Sequence, residues 1–309
     1  MSTRNSDTAS GGFTRFIPFV GERETASEFL SAPVAWLAFF LALPMGMMTA
    51  YSFLQVQNYE VVWKPTFQNY QTLLTSDIFR TYFFNTIEIS VAVTILAILL
   101  GYPLAYAIAY KAKNPELWLL LVLGPFFTVY LIRAFSWMTV LGRNGAINII
   151  LLRTGLIEEP IGWLLFGKFA VIVGLVHAFL PYFVLTLYAT LGGLNRDELE
   201  AARDLGASPI RAFWDVTLPQ SLPGVITGSL FVFIPSFGAY VTPLILGGGT
   251  VPMLAPLLDQ FMQLTLNVSK AAAGGIIMLV VVVVATTLIF RIVHLEELFS
   301  GQTEGGGGS

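Results

Sequence analysis

The chain has 309 residues, of which 55% are hydrophobic and 11% are charged, and its mean hydropathy is +0.74. Soluble domains carry about a quarter charged residues, so this composition indicates an integral membrane protein. The net charge of −3 gives no indication of nucleic-acid binding, and the sequence has no cysteine, which excludes a disulfide framework and a thiolate metal site. With only two histidines, His177 and His294, a histidine-rich metal site is not expected, and no cofactor is predicted.

Both ends of the chain are polar. Before Pro33 the sequence has arginines and glutamates and no early apolar core, so no cleavable signal peptide is expected. We predict an N-terminal tail over residues 1–30, with "MSTRNSDTASGG" disordered. A C-terminal tail is predicted over 296–309, and its final "GGGGS" is typical of an appended linker. Residues 31–295 are predicted to form one membrane domain.

Six stretches of this domain approach the roughly 20 apolar residues that a membrane span requires. They are approximately 33–54, 83–110, 117–141, 169–191, 221–246 and 271–293. The sequence therefore predicts an all-α membrane protein with six transmembrane helices. The uncharged run from Val216 to Leu258 is too long for one span, so glycines 247–249 and Pro252 are expected to end the fifth helix. Residues Met253 to Met262 should then form a short helix or re-entrant piece.

Lysine and arginine are distributed unevenly between the two sides of the membrane. If the N-terminus is cytoplasmic, the inner segments carry nine lysines and arginines and the outer segments carry six. Arg133 lies inside a predicted span and belongs to neither count. Cytoplasmic loops carry an excess of positive charge. We therefore predict that both termini are cytoplasmic.

A dense polar segment, "NRDELEAARDLGASPIRAFWDVTLPQSLPG", lies between the fourth and fifth spans. Asn195 is predicted to cap a helix, with Glu198 at the capping-box spacing. Gly206 is a predicted C-terminal stop, and Ser208 followed by Pro209 is typical of the start of a second helix. The pattern thus predicts two short helices separated by a glycine bend on the cytoplasmic side. The plain alternative is a solvated amphipathic connector.

Part of this segment, "EAARDLGASPIRAFWDVTLP", resembles the EAA loop in the permease subunits of bacterial ABC importers. The resemblance implies the type I permease fold, with residues 195–219 as a coupling loop that docks into a groove of a cytoplasmic ATPase. It implies that small residues allow close approach, that a glycine permits the bend, and that two aromatic residues anchor the second helix against the membrane domain or the ATPase. The coupling residues so implied are Glu200, Ala201, Ala202, Gly206, Phe213 and Trp214.

Longer stretches narrow the resemblance to the polyamine-type permeases, of the spermidine/putrescine kind. They are "GPFFTVYLIRAFSWMTVLGRNGAINIIL", "LVHAFLPYFVLTLYATL" and "FVFIPSFGAYVTPLILGGG", within a region from about Phe79 to Val293. The resemblance implies a second permease subunit, a dimer of ATP-binding subunits, a periplasmic substrate-binding protein and a lipid environment in the bacterial inner membrane. Two features depart from the subfamily: "SFGAYVTP" lacks an acidic residue after its glycine, and "GGGTVPMLAP" is a variant. The solute therefore stays open between a polyamine and an opine, an amino acid or an aminophosphonate.

Charged groups near membrane depth are the first candidates for the translocation pathway. Glu88, near the outer start of the second span, is a candidate partner for a cationic solute; the alternative is a structural carboxylate at the interface. Asp259, in the short outer helix, either lines the outer vestibule or faces water. Arg133 is expected to snorkel to the interface, and the alternatives are a contact with the binding protein or an ion pair with Glu88. Because Arg133 would repel a polyamine in the pore, a structural role is expected for it if the solute is a polyamine. His177 is expected to be hydrogen-bonded within its span.

Four aromatic residues are candidates for cation–π contact with an amine. They are Tyr130, Trp137, Tyr182 and Tyr240. Aromatic residues at such positions more often belong to the core or to the interfacial belt, and that alternative stays open for each of them.

The sequence has no GxxxxGK[ST] phosphate-binding loop, nucleophile elbow or zinc signature. The chain is therefore not expected to be an enzyme by itself, and energy must come from a partner. An ion-driven secondary transporter would require ionisable groups near mid-membrane and inverted repeats, and a membrane scaffold or intramembrane enzyme would require catalytic polar groups at depth. The sequence shows few such groups and no clear repeat.

Overall fold

The computed structural model describes residues 25–300, with side chains for 33–195 and 197–291. The predicted tails lie largely outside these ranges. The chain divides into two compact units, one up to Ala50 and one from Tyr51. The helices are α1 Thr25–Ser52, α2 Gln68–Thr75, α3 Asp77–Tyr110, α4 Pro115–Leu123, α5 Tyr130–Leu141, α6 Ala146–Arg153, α7 Lys168–Gly193, α8 Arg196–Asp204, α9 Pro209–Ala212, α10 Leu218–Phe237, α11 Val241–Leu246, α12 Leu254–Gln263 and α13 Val268–Ser300. Short 3₁₀ turns occur at Gly124–Phe127 and Gly162–Leu164, and a π-helical turn at Phe213–Thr217.

Within the described residues, five helices are long and apolar enough to cross a membrane, and a sixth span results if one bent pair counts as a single crossing. The bent pair joins Pro115–Phe127 to Tyr130–Arg153 at an angle of 92°. The third predicted span, about 117–141, is therefore sharply bent in the structure. Pro125 has no N–H to donate and disfavours a continuous helix, and the chain passes through a 3₁₀ turn there before α5 begins.

The fifth span also differs from the prediction at both ends. A continuous 29-residue helical segment runs from Pro209 to Phe237, and α11 is a separate helix beyond it. The wide π-helical turn immediately before Pro219 gives room for the proline ring, which would clash with a carbonyl of a regular α-helix. The helix ends at Gly238, so the residues predicted as the outer third of the span form a break followed by a short helix.

A small β-hairpin follows α1 and was not predicted. Strand β1, Leu54–Gln57, pairs antiparallel with β2, Glu60–Pro65, across a two-residue turn. Both turn residues, Asn58 and Tyr59, have positive φ, of 50° and 65°. Two positive φ values match the type I′ turn, whose twist suits a hairpin, but Asn-Tyr lacks the glycine that usually marks this turn in a sequence.

Three helices, α3, α7 and α10, form the core. The buried ring of Phe183 on α7 lies between Gly101 on α3 and Gly228 on α10. A Cβ added at Gly101 would lie 2.5 Å from Phe183 Cδ1, and one at Gly228 would lie 3.0 Å from Cδ2. Small residues that allow close backbone approach are the usual basis of helix packing in membranes, where water does not drive association.

The short helices beyond the break are tied back to α3. The prediction of a short helix near Met253–Met262 is confirmed by α12. Its first residue, Leu254, donates its N–H to Thr86 Oγ1 at 2.9 Å, and Asn85 Nδ2 donates to the carbonyl of Pro252 at 2.6 Å. Side chains of α3 thus satisfy backbone groups that the turn leaves unpaired, which fixes the entry to α12.

Candidate functional site

The first candidate site is the polar segment 195–219, called here the coupling segment. Its helix α8 begins with Asn195, whose side chain accepts a hydrogen bond from the N–H of Asp197 at 3.0 Å, as predicted for a cap. Glu198, expected in a capping box, lies 2.5 Å from Nε2 of Gln220, which donates to its carboxylate. This contact joins α8 to the first turn of α10.

Gly206 ends α8 in the manner predicted. Its φ is +87°, the left-handed region that favours glycine. Its N–H donates to the carbonyl of Arg203 at 2.9 Å, and the N–H of Ala207 donates to that of Ala202 at 3.0 Å. This pair of bonds is the Schellman motif, which satisfies the last carbonyls of a helix and reverses the chain direction.

The second helix of the segment also starts as predicted. Ser208 accepts a hydrogen bond from the N–H of Arg211 at 3.3 Å, and Pro209 occupies the first turn. The helix does not stop there, because it continues through the π-helical turn into α10. The coupling segment therefore continues into α10 without a loop, and it bends at Gly206 between α8 and α9.

The two aromatic residues of the segment have different environments. Phe213 is half-buried, and its ring packs edge-on against Tyr102 and Tyr106 of α3, with centroids 5.6 and 5.7 Å away. Trp214 is 60% exposed. Phe213 is thus the contact with the membrane helices, and Trp214 is turned outward. Sequence reasoning left open which of the two surfaces each ring contacts.

An exposed apolar surface accompanies Trp214. Leu205 is 90% exposed and Ile210 is 73% exposed, and both lie in the coupling segment. Glu200 and Ala201 are exposed on α8, and Ala202 is half-buried. Exposed large apolar side chains among charged ones indicate a surface that contacts another molecule. Leu205 and Ile210 were not among the predicted coupling residues.

The second candidate site is a cavity of about 470 Å³ beside the break after α10. The backbone of the break, at Gly238, Ala239 and Tyr240, is not helical, and these three residues line the cavity. Irregular backbone at membrane depth is found where it is buried in protein or lines a cavity. The lining residues are Phe126, Thr128, Tyr130, Arg133, Ala178, Phe179, Tyr182, Pro235, Gly238, Ala239, Tyr240 and Val241.

Three predicted pathway residues, Tyr130, Tyr182 and Tyr240, meet at this cavity. The Tyr130 hydroxyl is 2.6 Å from Thr242 Oγ1, and its ring stacks on Phe179 with centroids 6.3 Å apart. Neither Thr242 nor Phe179 was predicted. Thr242 precedes a proline within the stretch predicted as the fifth transmembrane helix, and nothing in its sequence context marks it as a site residue.

Asp259 contacts the cavity indirectly. Its carboxylate accepts a hydrogen bond from the Tyr240 hydroxyl at 3.0 Å, so it orients a lining residue without lining the cavity itself. No carboxylate is among the described residues that line the cavity.

Two other predicted pathway residues lie elsewhere. Trp137 donates its indole N–H to Nδ1 of His177 at 3.1 Å, and neither residue lines this cavity. The expectation that His177 is hydrogen-bonded is confirmed. Glu88 is exposed and forms an ion pair with Lys168, at 2.7 Å between Oε2 and Nζ. The alternative pairing of Glu88 with Arg133 is therefore wrong.

Arg133 is buried, with 8% of its surface exposed. Its Nη2 donates to the carbonyls of Pro125 and Thr128, the latter at 3.1 Å, while its Nε has no partner among the described residues. The guanidinium donates to carbonyls of the turn between α4 and α5, and these hydrogen bonds stabilise the positive charge in its buried position. Snorkelling to the interface, one of the predicted roles, is wrong for this residue.

Among the described residues, no group of three or more histidine, aspartate or glutamate side chains is arranged to hold a metal ion.

The sequence matches the family described as "Binding-protein-dependent transport system inner membrane component" over residues 29–294. The chain belongs to this family. It is 35% identical, over 75% of its own length and 82% of the relative's, to the spermidine/putrescine transport system permease protein PotB of Haemophilus influenzae. It is 36% identical to PotB of Escherichia coli K12, over 70% of this chain and 78% of the relative.

Solved structures of bacterial ABC transporters share the fold. A bacterial alginate ABC transporter, crystallised in complex with an alginate pentasaccharide-bound periplasmic protein, matches with a TM-score of 0.61 over 85% of this chain and 91% of that chain. The identity is 18%, so this match concerns the fold alone. The chain is therefore a membrane-spanning permease subunit with the type I permease fold, as predicted from the coupling segment.

Proposed function

We propose that this chain forms part of the translocation path of an ABC importer, and that the imported solute is a polyamine such as spermidine or putrescine. A second permease subunit completes the path, a dimer of ATP-binding subunits supplies the energy, and a periplasmic binding protein delivers the solute. Because the sequence has no GxxxxGK[ST] loop, ATP hydrolysis is assigned in this proposal to the partner subunits and not to this chain. It lies in the bacterial inner membrane with both termini and the coupling segment in the cytoplasm.

The proposed coupling to ATP hydrolysis depends on one observation: one side of the coupling segment contacts the membrane helices and another side is exposed. Phe213 packs on α3, whereas Trp214, Ile210 and Leu205 are exposed on the same short segment. A groove on the ATP-binding subunit would bury this exposed surface. The proposed docking residues are Glu200, Ala201, Ala202, Gly206 and Trp214, with Phe213 on the membrane side.

The mechanism follows from the continuity of the segment. Closure of the ATP-binding dimer displaces the coupling segment, and α9 passes the displacement to α10 through the π-helical turn without a loop between them. Phe213 passes it to α3 at the same time. Because α3, α7 and α10 pack as one core, the cavity beside Gly238 opens alternately to the two sides. Two states that differ by a few kcal/mol suffice for such a switch.

The polyamine assignment is supported by the identity to two PotB proteins and by the aromatic lining of the cavity. Tyr130, Tyr182 and Tyr240 can hold a cation by their ring faces, at about 0.5–2 kcal/mol each. Asp259 reinforces Tyr240 as a negative group behind the ring. Glu88 and Trp137 are proposed as pathway residues away from the cavity.

One observation favours a second candidate, an importer of a solute that carries both an amine and a carboxylate or phosphonate. Arg133 lines the cavity and is buried, and among the described residues its Nε has no partner and no carboxylate lines the cavity. A guanidinium repels a polyamine and attracts an acidic group. Opines, amino acids and aminophosphonates have this chemistry.

The test is ATP hydrolysis by the co-expressed complex in lipid, with its binding protein and a panel of solutes. Stimulation by spermidine or putrescine alone supports the polyamine assignment. Stimulation by an amino acid, opine or aminophosphonate supports the second candidate. A complex that does not retain an ATP-binding subunit would contradict the role of the coupling segment, and a complex with an inactivated ATP-binding subunit is the negative control.

A further inference from the structure

A groove runs along α4 on the side that faces α3 and α7. One part, of about 520 Å³, lies between the end of α3 and the start of α4. A second part, of about 290 Å³, continues between α4 and α7. The two parts adjoin at Leu104 and Trp118, which line both of them, and together they are called here the α4 groove.

The groove has a basic mouth and an apolar interior. Lys111, Lys113 and Asn114 line the first part, and both lysines are exposed. The second part is lined by apolar side chains, including Leu121, Val122 and Leu180, with His177 as the one polar residue among them. No acidic residue is among the described residues that line either part. Glu116, the nearest acid in sequence, is exposed on α4 outside the groove lining.

The mouth lies at the same end of the molecule as the coupling segment. Tyr106 on α3 packs against Phe213, at 5.7 Å between ring centroids. The hydroxyl of Tyr110, one turn further along α3, donates to the carbonyl of Leu191 at 3.3 Å, near the end of α7. Lys111 follows Tyr110 directly. The lysines are therefore at the end where the proposed function places the cytoplasm.

The length of the groove matches one leaflet. From Pro115 to Pro125 the chain rises about 15 Å at 1.5 Å per residue. Half of a hydrocarbon core of about 30 Å is also about 15 Å. Trp118, 49% exposed near the mouth, has the position that tryptophan prefers at a membrane interface.

We propose that the α4 groove binds an anionic phospholipid, with its phosphate between Lys111 and Lys113 and one acyl chain along Leu104, Leu121 and Leu180. The positive charge of the two lysines at the mouth favours an anionic lipid over a zwitterionic one. Two lysines without a lining acid attract a negative headgroup, and the cytoplasmic leaflet holds the anionic lipids. A zwitterionic lipid would fill the apolar part equally well but would not be selected by the lysines.

The test is native mass spectrometry of the complete importer complex, purified in mild detergent and offered phosphatidylglycerol or phosphatidylcholine. The proposal expects selective retention of phosphatidylglycerol. The double substitution Lys111→Gln with Lys113→Gln should weaken this retention about 30-fold, about fivefold for each lysine near the headgroup. Ala107→Phe, which places a ring in the mouth and leaves both lysines in place, should also reduce retention.

The matched control is Lys64→Gln with Arg153→Gln, which removes two exposed positive charges outside the groove. It should retain phosphatidylglycerol as the unchanged protein does. Equal retention of the two lipids, or loss of retention in the control alone, would overturn the proposal. A photo-reactive group at position 118 reports the occupant directly: cross-linking to the second permease subunit instead of lipid would also overturn it. This result is independent of which solute stimulates ATP hydrolysis.

Discussion

The ring of Phe213 packs edge-on against the ring of Tyr102, with centroids 5.6 Å apart. Phe213 belongs to the coupling segment, and Tyr102 belongs to α3. The Tyr102 hydroxyl is in turn 2.8 Å from Ser221 Oγ on α10. Three elements thus meet at one point, so we expect displacement of the coupling segment to be passed to both α3 and α10.

Replacement of Phe213 by alanine should reduce solute uptake without reducing binding of the ATP-binding subunit, because the exposed side of the coupling segment is unchanged. The loss of the ring removes the contacts with Tyr102 and Tyr106, and we expect solute uptake to fall at least tenfold. Copurification of the ATP-binding subunit should be retained. Trp214→Ala is the matched control with the reverse expectation, weaker copurification, because Trp214 is exposed. Equal effects of both changes on copurification would contradict this division of roles.

Gly206→Ala should weaken the bend of the coupling segment. Its φ of +87° costs an L-residue about 1–2 kcal/mol, although a Cβ there would meet no atom within 4 Å. The expected result is reduced affinity for the ATP-binding subunit, measured by titration of the purified subunit. Gly193→Ala is the control, since its Cβ also meets open space and its φ is not positive. If Gly193→Ala also lowers the affinity for the ATP-binding subunit, the effect of Gly206→Ala cannot be attributed to its positive φ.

The caps at Asn195, Gly206 and Ser208 could be predicted because local chemistry determines a helix end. The angle of the bend in the third span could not, because Pro125 indicates where a helix is interrupted but not by how much the chain turns there. The cavity beside Gly238 is lined by residues from four separate helices, α5, α7, α10 and α11, and nothing in a single sequence shows that these residues meet. The pairing of Glu88 with Lys168, 80 residues apart, is equally invisible before folding.

Phe183→Ala should destabilise the core strongly. The ring fills the space between Gly101 and Gly228, and loss of a buried phenyl ring costs about 3–5 kcal/mol. Gly101→Ala should also destabilise, because its Cβ would lie 2.5 Å from the ring. Thermal unfolding in detergent measures both effects. Gly192→Ala, at a position open to added atoms, should be close to neutral.

The combination of Gly101→Ala with Phe183→Leu tests whether the two residues act through each other. The smaller leucine leaves room for the new methyl group, so the double variant should be more stable than the sum of the single effects indicates. Additive losses would show that the packing of the glycine against the ring is not the source of the stability.

The Glu88–Lys168 pair should contribute little to stability. Both side chains are about half or more exposed, and exposed ion pairs are worth about 0–1 kcal/mol. Glu88→Gln should therefore leave thermal unfolding nearly unchanged. If Glu88 instead attracts a cationic solute, this substitution should raise the solute concentration needed for half-maximal uptake.

The charge reversal Glu88→Lys with Lys168→Glu separates these roles. It restores the ion pair but moves the negative charge to α7. Full recovery of uptake in this variant would show that pairing is the role of Glu88, and a persisting defect would support contact with the solute.

Arg133→Leu should destabilise the bend between α4 and α5. The change removes the charged donor to the carbonyls of Pro125 and Thr128. The Pro125 carbonyl still accepts from the N–H and the hydroxyl of Thr128, and Thr128 is exposed, so the expected loss is that of a hydrogen bond to a charged group, about 1.5–3 kcal/mol. Thermal unfolding measures the loss, and Arg143→Leu, at an exposed position, should stay within about 0.5 kcal/mol. Arg133→Lys retains the charge and should restore part of the stability. If Arg133 also binds an acidic group of the solute, Arg133→Lys should raise the half-saturating concentration of a carboxylate-bearing solute and leave that of spermidine unchanged, because an ammonium lacks the two parallel N–H bonds of a guanidinium.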